Sequence, residues 1–166
     1  MSQLDAVFSE DKYLEDCEKA GFGPFQLKVI RKGLDAGLTR EEMGLFVSLE
    51  FQANQMDEIR LGLEQGLPTE QVKFYAKTCF PWYQMGQIRI GLLNGLGLEE
   101  VSVFAVPGFR YAQCKEIRLG LEDGLSIEQV KAYANPEIVW MDMREMRLLL
   151  ESHNKKIAGK KGRDED

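Results

Sequence analysis

Histidine is almost missing from this chain. His153 is the single one in 166 residues and lies near the expected tail, so histidine-based acid–base or triad chemistry is not expected. Cysteine is also scarce. Cys17, Cys79 and Cys114 are odd in number and unevenly spaced, which excludes a disulfide framework and fits a reducing compartment. No Cys-x-x-Cys or His-Glu-x-x-His spacing occurs, so no zinc site is expected. A phosphate-binding Gly-x-x-x-x-Gly-Lys-Ser/Thr loop and a dinucleotide fingerprint are both lacking. No apolar run approaches the ~18 residues of a membrane span. The first residues, Met-Ser-Gln-Leu-Asp, carry no basic segment leading into an apolar one, so no secretory signal is expected. Cofactor, metal, membrane and catalytic roles thus find no support, and the expectation is a non-enzymatic cytoplasmic protein.

Charge has one sign in excess. Against 21 lysines and arginines stand 27 acids, a formal net charge of −6. The last sixteen residues hold five basic and four acidic side chains, which leaves residues 1–150 at −7. Such a body repels a phosphate backbone unless its cations gather on one face. With 44% hydrophobic and 29% charged residues, the composition is that of an ordinary folded domain.

What the chain does have is a period. Phe22, Phe51, Phe80 and Phe109 are spaced by 29 residues, with Ile138 next in register. Gln26, Gln55, Gln84 and Gln113 keep the same step, and so do Arg31, Arg60, Arg89, Arg118 and Arg147. Two glycine rows follow: Gly33, Gly62, Gly91 and Gly120, then Gly37, Gly66, Gly95 and Gly124. A fixed period of this length marks an array whose units bury their apolar faces by stacking.

One unit reads as two helices. Met56, Ile59 and Leu63 form one face of a helix predicted over Gln55–Gln65. Gly66 is placed for a left-handed C-cap, with Leu67 as its apolar contact. A shorter helix starts near Thr69 and carries Val72, Tyr75 and Ala76 on its apolar face. Capping boxes open two of these short helices, Thr39 with Glu42 and Ser126 with Gln129. The prediction is all-α: a right-handed α-solenoid of helical hairpins with four full repeats and flanking half-repeats. The expected divisions are a capping helix in 1–21, repeats 22–50, 51–79, 80–108 and 109–137, and a final helix over 138–152. Residues 153–166, with Gly159, Gly162, mixed charge and no apolar period, are expected to be disordered.

Each repeated polar residue has a structural and a binding reading. A mid-helix glycine costs up to about 1 kcal/mol against alanine, so the row Gly33–Gly120 signals close approach by a neighbouring helix. Arg31, Arg60, Arg89, Arg118 and Arg147 can form a ladder that meets carboxylates or phosphates on a partner. They can equally pair with local acids such as Glu64, Glu122 and Glu151, four residues on. The structural reading is favoured for the arginines and for the glutamines. Binding sites in repeat arrays are expected where the units differ. The loops before the longer helices do differ, and Trp82, Tyr83, Arg110, Tyr111 and Trp140 are of types enriched at interface hot spots.

The run from Gln55 through Glu58-Ile59-Arg60, Gly62-Leu63-Glu64 and Gly66-Leu67 to Val72 and Tyr75-Ala76 resembles short repeats in uncharacterised proteins of gut Firmicutes and their mobile elements. The resemblance covers about residues 22–152. Leu27 and Cys114 depart from it where a methionine is usual, and Leu93-Asn94 where an acidic pair is. It implies a cytoplasmic bacterial, phage or plasmid protein, of a kind that includes inhibitors of host defence nucleases such as anti-CRISPR proteins. The expected partner is a protein of unspecified identity, engaged by steric block. The alternatives are an acidic mimic of nucleic acid and a direct nucleic-acid binder that uses the arginine ladder.

Overall fold

The computed structural model describes the backbone of residues 9–164. It is all-α, with ten helices and no strand among the described residues. Four twelve-residue helices begin 29 residues apart: α2 (Pro24–Asp35), α4 (Ala53–Glu64), α6 (Trp82–Leu93) and α8 (Tyr111–Glu122). A short helix follows each: α3 (Arg40–Met43), α5 (Thr69–Tyr75), α7 (Leu98–Ser102) and α9 (Ile127–Lys131). These are framed by α1 (Glu10–Lys19) and α10 (Trp140–Asp164). The chain groups into two compact units, residues 1–78 and 79–166, where the sequence led to one repeat domain over 1–152. The division falls one residue short of the boundary between repeats 51–79 and 80–108. Contacts in repeat proteins are made between sequence neighbours, so a contact grouping divides near such a boundary.

α2, α4 and α8 start by one shared device, and all four twelve-residue helices stop by another. Each opens two residues earlier than the apolar period indicated, because the glutamine taken as the start is the third helical residue. The Gln55 Oε1 accepts the backbone N–H of the N-cap residue Gln52 at 2.9 Å, which satisfies an orphan donor of the first turn. The other end closes in a Schellman arrangement. Gly66 takes φ +82°, its N–H donates to Leu63 O at 3.0 Å, and the Leu67 N–H reaches back to Gly62 O at 3.0 Å.

Gly33, Gly62 and Gly120 answer to an aromatic ring on or just after the following short helix, not to a neighbouring backbone as the sequence suggested. A methyl group on Gly62 would overlap the Tyr75 hydroxyl, and one on Gly120 would overlap that of Tyr133. On Gly33 it would lie 2.8 Å from Phe46 Cζ. Phe46, Tyr75, Phe104 and Tyr133 are 29 apart and fully buried. Each tyrosine hydroxyl donates to a backbone carbonyl of the preceding longer helix, Tyr75 to Glu58 at 3.3 Å and Tyr133 to Glu116 at 3.4 Å. In α10 the register position holds Leu149, 71% exposed.

Around these contacts Met56, Ile59 and Val72 in one unit and Ile88, Val101, Ile117 and Val130 in the other are wholly buried. Each such side chain contributes about 1.5–3 kcal/mol of burial. Phe51, Phe80 and Phe109 are buried as well.

Within the second unit α6 packs on α8 and α8 on α10, and their directions are parallel. Side chains near the starts of α6 and α8 bond the loops that lead into the next longer helix. Past the end of α6, Asn94 donates to Glu122 at the end of α8, at 2.9 Å. In the first unit α2 packs on α4, with Gln26 tied to Phe51 O at 2.9 Å.

Residues 153–164 are helical as the continuation of α10, which corrects the expectation of a disordered tail. The run has Lys155, Lys156, Ala158 and Lys160, all good helix formers. It extends an existing helix, so no nucleation is required, and lysines near a C-terminus complement the helix dipole.

The glycine–tyrosine contact is testable. Gly62→Ala is expected to destabilise the protein by about 1–3 kcal/mol through overpacking, despite alanine's better helix propensity. The same change in a Tyr75→Phe background should be close to neutral. Gly91→Ala, whose methyl would press on the flexible tip of Leu96 at 3.1 Å and touch Val101 at 3.4 Å and Arg118 at 3.6 Å, should stay within about 1 kcal/mol of wild type. Urea unfolding of the four variants measures all three values.

Candidate functional site

The glutamine row sets the geometry of one edge of each unit. In the second unit Gln113 accepts the Arg110 N–H through Oε1 at 2.8 Å. Its Nε2 donates to Pro136 O at 2.8 Å and to Ile138 O at 2.7 Å. One amide thus caps its own helix and fixes the loop that delivers the next. Gln84 donates in the same way to Phe104 O and Val106 O, at 2.6 and 2.8 Å. Its Oε1, however, is buried without a partner. The cause is Pro81, which stands at the N-cap and has no N–H to give.

These ties bring three aromatic residues to equivalent places. Trp82, Tyr111 and Trp140 are the first residues of α6, α8 and α10, again 29 apart. They are 47%, 51% and 39% exposed. Tyr83 is half-buried and meets the Trp82 ring edge to face at 6.2 Å. Arg110 is the exposed N-cap of α8. In the first unit the same register position holds Pro24 and Ala53, so the aromatic row belongs to the second unit alone. Between the starts of α8 and α10 lies an open notch of about 420 Å³, lined by Arg110, Gln113, Pro136, Glu137, Ile138 and Trp140. Met141, 55% exposed, and Val139, 52% exposed, extend this apolar edge. The sequence reading passed over both residues, although their helix-start position was a usable signal.

The arginine row does not form an accessible ladder. Arg60, Arg118 and Arg147 are 5%, 8% and 7% exposed. Arg60 is clamped by Asp57 at 2.9 Å and by Glu64. Burial alone would lower its pKa, but the hydrogen bonds it donates to Glu64 and Asp57 more than reverse this, and the net shift is upward. Arg118 donates to Gln87 at 3.0 Å and to both oxygens of Glu122. Arg147 donates to Glu116 at 3.0 Å and Glu151 at 2.7 Å, with Asp123 at 3.6 Å. Arg118 and Arg147 therefore join successive longer helices, each reaching a residue 31 positions earlier. For Arg60 that position holds Val29, and the side chain turns to Asp57 instead. Arg89 is half-buried. Arg31 alone of the five is exposed, in a groove between α1 and α2 shared with Asp11, Glu15 and Glu18.

Cys114 is buried, and desolvation pushes its thiol up to about 12, the condition of an inert core group. Among the described residues no group of three or more His, Cys, Asp or Glu is placed to hold a metal. No helix among them is long and apolar enough to cross a membrane. No family model, curated protein or solved structure matches the chain.

Two substitutions probe these rows. Arg147→Met should cost about 3–5 kcal/mol, because it leaves Glu116 and Glu151 buried without their cation, whereas Arg31→Met should change stability by less than about 0.5 kcal/mol. Pro81→Gln, which supplies the N–H that Gln84 lacks, should stabilise by about 1 kcal/mol. Chemical denaturation reads both.

Proposed function

We propose that this chain is a non-catalytic protein-binding module, built as a right-handed α-solenoid of four full 29-residue repeats with flanking half-repeats. One observation carries the reading. The repeated glutamines, three of the arginines and the mid-helix glycines are consumed inside the fold, while an exposed aromatic row stands at an edge where the repeats differ. Trp82, Tyr111 and Trp140, flanked by Tyr83 and Arg110, supply the large rigid side chains that anchor protein interfaces. The notch beside Trp140 supplies a recess for a partner side chain. In line with the repeat resemblance, the module acts in a bacterial cytoplasm as a mobile-element-encoded inhibitor. It blocks a defence effector, such as a CRISPR nuclease, by steric occlusion.

A second reading rests on another regularity. Glu41, Glu70, Glu99 and Glu128 are 29 apart, exposed, and placed in the first turn of each short helix. This acidic row, with the negative net charge, favours a mimic of nucleic acid that occupies a basic channel. Direct nucleic-acid binding through the arginines is the weakest reading, since Arg60, Arg118 and Arg147 are buried in ion pairs.

Affinity capture from nuclease-treated bacterial lysate, with mass spectrometry of the retained proteins, separates these readings. The protein-module reading predicts a saturable protein partner whose retention falls at least roughly tenfold in a Trp82→Ala/Tyr111→Ala/Trp140→Ala variant, the loss of one or more hot-spot anchors. Retention that survives this variant but collapses with salt supports the acidic mimic. Retention of nucleic acid alone, abolished by nuclease, counts against both.

A further inference from the structure

The exposed face of α10 is an inter-helix face with no neighbour among the described residues. In α8 the matching face is covered by α10: Glu116 and Asp123 there receive Arg147. One period later the same positions are Glu145 and Ser152, joined on that face by Met141, Leu148 and Leu149. Leu148 is 46% exposed, and Glu145, Leu148 and Leu149 line a shallow apolar hollow.

Charge along this face is segregated by position. Asp142 and Glu145 lie in its N-terminal part, and Lys155 and Lys156 follow in its C-terminal part. All four are exposed, and none is held in an ion pair. We propose that this face pairs with the same face of a second copy of the chain, as an antiparallel two-fold dimer centred on Leu148 and Leu149. With Leu148 and Leu149 of the two copies meeting at the centre, the antiparallel two-fold sets Asp142 beside Lys156 of the second copy on the same edge of the face. Glu145 falls opposite Ser152, with Lys156 of the second copy one turn away. Two-fold symmetry makes each contact twice, as an isologous interface requires.

A parallel pairing fails on the same residues. It sets acid on acid and lysine on lysine. The arginine that would serve Glu145 in a continued stack, Arg147, is already consumed by Glu116 and Glu151.

Sedimentation equilibrium of the full chain tests this. The expected species at high concentration has twice the 18.9 kDa chain mass. Leu149→Asp, at a position exposed in the single chain, should leave helicity unchanged by circular dichroism and weaken dimerisation at least roughly tenfold. Asp142→Lys and Lys156→Asp should each weaken it, and the two combined in one chain should restore it, because the symmetric pair is then only reversed. A chain that stays monomeric at every concentration overturns the proposal. A dimer indifferent to Leu149→Asp does so too, and a double charge variant no better than the singles overturns the antiparallel register.

Discussion

One primary amide per repeat holds the edge on which the proposed function depends. In Gln113 the carbonyl oxygen caps the helix that the residue sits on, and the two amide hydrogens take carbonyls of the loop that starts the next longer helix. A buried amide with all its groups engaged has little freedom, and displacing it strands several polar groups at once. The position of α10 relative to α8 is therefore coupled to the start of α8 itself. Trp140 and Tyr111 stand in equivalent places because the same tie is made at each step. Gln84 shows the limit of the device: Pro81 removes one donor, and both amide hydrogens still hold Phe104 and Val106.

The other repeated rows serve the same end in different ways. The glycine row lets an aromatic ring from the short helix lie against the longer one, which closes each hairpin. In the second unit the arginine row connects longer helices through buried ion pairs. Such pairs are costly to bury and costly to break, so they fix register more than they add stability. With these groups engaged internally, the surface available for recognition is what varies from repeat to repeat. That is the physical ground for placing function at Trp82, Tyr111 and Trp140 and not at the more conspicuous arginines.

Much of this was legible from the period alone. The 29-residue step located the longer and shorter helices, the left-handed glycines at their ends, and the buried stripes through Ile59 and Val72. Local rules sufficed there, since a C-cap or an apolar face is decided within a few residues. What stayed hidden was made by contacts between elements. Arg118 and Gln87 are 31 residues apart, a separation that acquires meaning only once two helices lie parallel and in register. The glycine row was read as a helix–helix approach because nothing local says that Tyr75 folds back over Gly62. The helical end of α10 lacks an apolar period, and it is formed as an extension of a helix whose earlier turns are packed. Tyr111 and Trp140 were picked out by residue type, but their shared helix-start position with Trp82 needed the true starts of α6, α8 and α10.

The central claim is that a single glutamine per step positions each successive helix start. Urea unfolding of Gln113→Met measures it most directly, since methionine keeps the volume and loses every hydrogen bond. The account predicts a loss of about 2–4 kcal/mol, the sum of stranding the Arg110 N–H and the Pro136 and Ile138 carbonyls. A loss below about 0.5 kcal/mol, within the range of an ordinary surface change, would contradict it.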